Sequence, residues 1–135
     1  MDAPARSVID YALARRATLV DLFAGRVSTA EVCDAHPYLL RAAKYHGQAT
    51  ERGCPVCRRE RLVEVTYVYG DELRESSGQA RAVRDVAALA RRYAELNVYV
   101  VEVCRGCAWN HLTTSFVVGT GDAGEARATG RRARK

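Results

Sequence analysis

The chain has 135 residues, of which 48 % are hydrophobic and 27 % are charged, as in an ordinary folded domain. This length excludes a large multidomain enzyme and a long repeat array. No apolar segment of the sequence reaches the roughly 20 residues that a membrane helix requires. The N-terminus lacks a basic segment followed by an apolar stretch, so the sequence predicts a cytoplasmic protein without a secretory signal.

The positive charge is concentrated at the C-terminus. The formal net charge is +5, and residues 122–135 contribute five basic and two acidic side chains. Residues 1–121 contain 16 basic and 14 acidic side chains, which does not predict a strongly electropositive body. We therefore predict one folded domain over residues 1–121, followed by a flexible basic tail over 122–135.

The N-terminal part, residues 1–47, is predicted to be helical. Apolar residues at three- and four-residue steps favour a first helix from Ser7 to Ala24. Ser28 and Glu31 have the spacing of a capping box, which predicts the start of a short second helix. Proline suits the first position of a helix, so we predict a third helix over Pro37–His46. The two short helices predicted within residues 27–46 could instead read DNA as a helix-turn-helix, which is the less favoured alternative.

The second part, residues 54–118, is predicted to form a three-stranded antiparallel sheet. A long amphipathic helix, Gln79–Leu96, is predicted as an insertion packed against this sheet, and Gln48–Gly53 is predicted to be a polar connector. Three segments have the alternating or β-branched character of strands: Leu62–Tyr69, Val98–Val103 and Trp109–Val118.

Four of the five cysteines form two C-x-x-C pairs. Two thiolates three positions apart on a tight turn can face one ion, and two such turns supply the tetrahedral four-sulfur site that Zn²⁺ favours. Pro55 is predicted to stiffen the first turn, and Gly106 to adopt a left-handed conformation in the second. Iron is the alternative ion that a four-sulfur site leaves open. The sequence predicts one structural zinc ion with four ligands: Cys54, Cys57, Cys104 and Cys107.

The cysteine pairs also determine the fold class and the reaction class that we expect. The fold is predicted to be α+β, with N-terminal helices and a zinc-ribbon-like sheet. Four protein ligands leave no open position for water on the metal, so we predict no catalysis and no small-molecule substrate. A second metal site or a nucleophilic dyad at Cys33 and His36 is disfavoured because no further ligand pair or orienting group completes it.

Basic and aromatic side chains near the cysteine pairs indicate a contact with single-stranded nucleic acid. The candidate contact residues are Arg58, Arg59, Arg61, Arg105, Trp109 and His111. Alternatively, Trp109 and the tyrosines form the core of the sheet and the arginines screen the thiolates. We predict association with RNA or with the transcription or translation machinery. The alternative partner is a protein bound by an apolar surface of the N-terminal helices.

Four stretches of the chain resemble a family of small actinobacterial proteins of unknown function. These stretches are residues 31–43, 54–57, 67–71 and 98–112, and the resemblance extends over roughly residues 6–119. The four paired cysteines, Trp109 and His111 match the pattern of that family. The resemblance implies a cytoplasmic zinc-ribbon-like protein and supplies no activity.

Overall fold

The computed structural model describes residues 5–121. The predicted basic tail, residues 122–135, lies outside the described residues. Within residues 5–121, no helix is long and apolar enough to cross a lipid bilayer. In chain order the elements are β1 (Arg6–Asp10), α1 (Ala12–Phe23), α2 (Thr29–Val32), α3 (Pro37–His46), β2 (Gln48–Gly53), β3 (Arg61–Tyr69), a 3-10 helix (Asp71–Ser76), β4 (Gln79–Arg81), α4 (Val83–Arg92), β5 (Leu96–Val103) and β6 (Asn110–Val118).

The six described strands form one antiparallel sheet, so the fold is α+β with a larger sheet than the three strands predicted. The strand order is β1-β6-β5-β3-β2, and β4 pairs with β3 beside β2. The central strands β3 and β5 pair without interruption from Val63 opposite Val103 to Tyr69 opposite Asn97. The turns that carry the cysteine pairs precede β3 and follow β5, so the antiparallel register brings both turns to one end of the sheet.

Helices cover parts of both faces of the sheet. On one face, α3 buries Ala43 against Val65 and Val103. On the other face, α4 buries Val86 and Ala90 in a cluster that includes Val68, Leu96 and Val98 from the strands. These contacts bury Val65 and Val103 on one face of the central strands and Val68 and Val98 on the other.

The predicted helix over residues 7–24 is wrong at its start, because Arg6–Asp10 form an edge strand. Ile9 pairs with Ser115 of β6, and Asp10 accepts a hydrogen bond from the amide of Ala12 at 2.8 Å, where α1 begins. Adjacent apolar residues are compatible with a helix or with a strand, and here the pairing with β6 stabilises the strand. The capping box of Ser28 and Glu31 and the proline start of α3 are confirmed.

The long inserted helix is also shorter than predicted. Gln79–Arg81 form a strand that pairs with Thr66–Val68, α4 has ten residues, and Leu96 already belongs to β5. The predicted connector Gln48–Gly53 is the edge strand β2. Its polar composition suits an edge whose side chains are mostly exposed, so hydrophobic alternation does not reveal it.

Candidate metal centre

The first cysteine turn, residues 54–59, is organised by backbone hydrogen bonds to sulfur. The amides of Val56 and Cys57 donate to Cys54 Sγ at 3.4 and 3.5 Å, and the amide of Arg59 donates to Cys57 Sγ at 3.5 Å. Arg58 has a φ of 60° and its amide donates to the carbonyl of Cys54 at 3.1 Å. These amide dipoles favour the thiolate form that binds metal.

The second cysteine turn, residues 104–108, repeats this geometry. The amide of Cys107 donates to Cys104 Sγ at 3.3 Å, and that of Ala108 donates to the carbonyl of Cys104 at 2.9 Å. The left-handed residue of this turn is Ala108, with a φ of 73°, at the position that matches Arg58. The prediction for Gly106 is therefore wrong. A Cβ at this position would lie 2.7 Å from Cγ of the exposed Glu60, so that side chain would have to shift.

The two turns bring four sulfur atoms together. All four Sγ atoms lie within 4.8 Å of one another. Between the turns, Cys54 Sγ lies 3.7 Å from Cys107 Sγ, and Cys57 Sγ lies 3.7 Å from Cys104 Sγ. Sulfurs at the corners of a tetrahedron around Zn²⁺ are about 3.8 Å apart when each Zn–S bond is about 2.3 Å. The arrangement is therefore a candidate metal site with four sulfur donors.

The pKa values of Cys57, Cys104 and Cys107 are shifted in different directions. Hydrogen bonds from the amides of Arg59 and Glu60 lower the pKa of Cys57 to about 7. Burial raises the pKa of Cys104 and that of Cys107 to about 12. Without metal, Cys104 and Cys107 are therefore protonated at neutral pH, whereas Cys57 is partly ionised.

Metal affinity is expected to rise steeply with pH. A bound cation must displace the protons of Cys104 and Cys107, because only thiolates coordinate it. Release of these two protons alone makes the apparent association constant rise roughly 100-fold for each pH unit, and protons released from the partly ionised Cys57 steepen this dependence below about pH 7. A competition titration with a chromophoric chelator between pH 6 and 8, corrected for the chelator's own protonation, measures this slope. A flat profile would mean that these thiols are not the ligands.

The fifth cysteine lies beside the candidate site, where sequence reasoning assigned it no role. Cys33, at the end of α2, donates its thiol hydrogen to Cys107 Sγ at 3.5 Å. Burial raises the pKa of Cys33, which keeps this thiol protonated and able to donate. The amide of Ala35 donates to the carbonyl of Ala108 at 3.0 Å, fixing the connection between α2 and α3 against the second turn. His36 accepts a hydrogen bond from the amide of Tyr38 at 3.0 Å and caps α3.

Trp109 is a core residue and offers no exposed ring to a nucleic-acid base, which corrects its predicted contact role. The side chain is fully buried, and its indole N–H donates to Glu102 Oε2 at 2.8 Å. His111 is half-buried and stacks against Trp109 with ring centroids 5.9 Å apart. Arg15 of α1 donates to the same oxygen of Glu102 at 2.6 Å. Glu102, which sequence reasoning missed, thus joins α1 to the sheet. The one sequence feature that could have revealed Glu102 is its carboxylate within an otherwise apolar strand.

Four arginines on or beside the cysteine turns are exposed. We call Arg58, Arg59, Arg61 and Arg105 the turn arginines. Over residues 5–121, none of them forms an ion pair with a carboxylate. Glu60 lies between two of them in the sequence and forms no ion pair among the described residues, whereas Glu64 pairs with Arg52 and Glu102 pairs with Arg15. The turn arginines therefore remain available to an anionic partner.

Comparison with known proteins gives relatives without an assigned activity. A family model described as a family of unknown function (DUF5318) matches residues 3–133. Uncharacterised proteins of Mycobacterium bovis and Mycobacterium tuberculosis are 50 % identical over 111 residues, covering 82 % of this chain and 81 % of theirs. No solved structure matches the chain.

Proposed function

We propose that this chain, which belongs to the DUF5318 family of unknown function, is a non-catalytic binding module held together by one structural Zn²⁺. The cluster of four sulfurs carries this proposal. Four thiolates complete a tetrahedral sphere, and a redox-inert ion suits a purely structural role. Elemental analysis of protein purified without added metal is expected to give one zinc per chain. Iron in its place would contradict the proposal.

The partner that we propose is RNA, free or within a nucleoprotein machine. The support comes from the turn arginines, which are exposed at the end of the sheet where the cysteine turns meet and which lack carboxylate partners among the described residues. Guanidinium groups of this kind bind phosphates in a salt-dependent way. Trp109 takes no part because it is buried.

Removal of three turn arginines is expected to weaken RNA binding. The variant carries Arg59→Gln, Arg61→Gln and Arg105→Gln. It leaves Arg58 unchanged because that residue has a positive φ. Loss of three phosphate contacts lowers the slope of log K against log salt by about 2 for a single strand. Fluorescence anisotropy with a labelled single-stranded RNA at several salt concentrations measures both affinity and slope.

The matched control removes three exposed arginines elsewhere. Arg6→Gln, Arg16→Gln and Arg84→Gln change the net charge equally but lie on β1, α1 and α4. If both triple variants lose the same affinity, the attraction comes from net charge alone and the assignment to the turn arginines fails.

A protein partner is the second candidate, favoured by one specific observation. The β1–α1 segment exposes more than half of each of five apolar side chains: Val8, Ile9, Leu13, Val20 and Phe23. Exposed apolar side chains that lie together are typical of protein interaction surfaces. Purification from native lysate with nuclease separates the two candidates. A defined protein that resists nuclease and is lost from a Leu13→Ser variant would favour this surface over RNA.

A further inference from the structure

The thiol of Cys33 is a nucleophilic group that the candidate metal centre does not use. Cys33 is outside the group of four sulfurs, and it is 74 residues away from Cys107 in the chain. Its Sγ nevertheless lies 3.5 Å from Cys107 Sγ, which is closer than the 3.7 Å between Cys107 and Cys54. The fold therefore brings a fifth thiol into contact with one of the four metal-binding sulfurs.

Backbone hydrogen bonds hold the end of α2 against the second cysteine turn. The amide of Cys33 donates to the carbonyl of Thr29 at 2.8 Å, which completes the turn of α2 that begins at the capping box. Two residues later, the amide of Ala35 donates at 3.0 Å to the carbonyl of Ala108, the neighbour of Cys107. Because both bonds flank the contact between the two sulfurs, the contact belongs to the packing of α2 on this turn.

Solvent reaches both sulfur-bearing residues of this contact. Cys33 and Cys107 are partly exposed, whereas Cys54 and Cys104 are only 2 % and 0 % exposed. A small polar oxidant can therefore approach Cys107 more easily than it approaches the buried ligands. Hydroperoxides oxidise thiolates, and coordination of a metal requires Cys107 to be a thiolate at neutral pH. An exposed thiolate beside a second thiol is the arrangement typical of cysteines that oxidants modify reversibly.

We propose that Cys33 and Cys107 form an oxidative modification site, at which a hydroperoxide converts the two thiols into a disulfide. The Cys107 thiolate takes one oxygen from hydrogen peroxide, which gives a sulfenic acid and hydroxide. Sγ of Cys33 then attacks this sulfur, the S–S bond forms, and the leaving hydroxyl group departs with the Cys33 proton as water. The two sulfurs together lose two electrons to the peroxide. Cys107 is then no longer a metal ligand, and this consequence rests on the proposed zinc site.

This disulfide is favoured over one between two ligands because Cys33 binds no metal. A disulfide between Cys57 and Cys104, whose sulfurs are also 3.7 Å apart, would break two bonds to the ion, whereas the proposed disulfide breaks one. Cys54, Cys57 and Cys104 would then remain as ligands. Three thiolates hold Zn²⁺ less tightly than four, so oxidation is expected to transfer the ion to a competing chelator.

Peptide mapping of the oxidised full chain tests this proposal without any variant. The zinc-loaded chain is treated with hydrogen peroxide beside a chromophoric chelator until half of the zinc is released, and is then alkylated and digested with trypsin. Cleavage after Arg105 separates Cys104 from Cys107, and the cysteine peptides are residues 27–41, 53–58, 93–105 and 106–127. We expect a disulfide between peptides 27–41 and 106–127, with one disulfide per zinc released. Disulfides mainly among the four ligands, or release without a disulfide, would overturn the proposal.

Cys33→Ser tests whether Cys33 makes the oxidation reversible. The variant keeps a hydroxyl group that can donate to Cys107 Sγ but cannot form a disulfide. After peroxide, dithiothreitol and added zinc, we expect the unmodified chain to regain one zinc ion and the variant to regain less than half of that. Without a neighbouring thiol, the sulfenic acid of Cys107 proceeds to sulfinic acid, which dithiothreitol does not reduce. Equal recovery would mean that a ligand replaces Cys33 in this step, and would overturn its assigned role.

The zinc content before oxidation separates this inference from the proposed function. A chain that contains one zinc ion but forms no disulfide between Cys33 and Cys107 refutes the oxidation site alone. A chain that contains no zinc refutes the structural metal, and the position of its disulfide in the same digest still decides whether Cys33 and Cys107 react with each other.

Discussion

Cys54→Ser is expected to remove the bound metal and to unfold the end of the sheet that carries the cysteine turns. Cys54 is buried, its sulfur accepts two backbone amides, and its Sγ lies 3.7 Å from that of Cys107. Structural zinc contributes about 10–16 kcal/mol of apparent binding free energy in small zinc peptides, so loss of one ligand removes a large part of the stability of this region. Elemental analysis and urea denaturation measure both effects.

Cys33→Ser is the matched control for this variant. It makes the same chemical change beside the site, but Cys33 is outside the group of four sulfurs. We expect this control to keep one metal ion per chain and a cooperative unfolding transition. If Cys54→Ser instead keeps one ion per chain and unfolds at the same urea concentration as the unmodified protein, the assignment of the ligands is wrong.

Glu102→Ala is expected to destabilise the fold by about 3–5 kcal/mol, because it leaves Arg15 without its carboxylate and the buried Trp109 indole without an acceptor. The carboxylate is 1 % exposed, so water cannot replace it easily. Glu102→Gln keeps an oxygen acceptor and is expected to recover part of this loss. Guanidinium chloride denaturation of both variants gives the free energies of unfolding.

The chain contains a suitable control directly across the sheet. Glu64 is opposite Glu102 in the register of β3 and β5, and it pairs near the surface at 2.7 Å with Arg52, which also lies 3.9 Å from Glu102 Oε1. Exposed ion pairs stabilise proteins by about 0–1 kcal/mol, so Glu64→Ala is expected to have a small effect. Equal effects of the two alanine variants would mean that burial of Glu102 does not determine its contribution.

The parts of the fold that local sequence specifies could be predicted. The segments Leu62–Tyr69, Val98–Val103 and Trp109–Val118 lie within β3, β5 and β6, apart from Trp109, which directly precedes β6. Their alternation or β-branched composition reflects burial, which is a local signal. The tight turn of each cysteine pair is also a local feature, because its two cysteines are only three positions apart.

Features that depend on distant parts of the chain could not be predicted in the same way. The strand Arg6–Asp10 forms because β6 offers an open edge more than 100 residues away, as in the hydrogen bond of Thr114 to Ile9. The apolar residues of Gln79–Leu96 have the spacing of one helix, but they belong to β4, α4 and the start of β5. The spacing of apolar residues within a single segment does not distinguish these outcomes.

The separation of the two cysteine pairs along the chain has a consequence for the order of folding. Residues 58–103 lie between the pairs, so closing this segment in an unfolded chain carries the entropy of a long loop. The second pair faces the first only after β3 and β5 have aligned. We therefore expect a cation to bind late in folding and to stabilise a sheet that has already formed, whereas in a short zinc finger the metal nucleates the fold. We expect uptake of the ion by a refolding chain to be limited by the rate of strand pairing and not by the concentration of the ion.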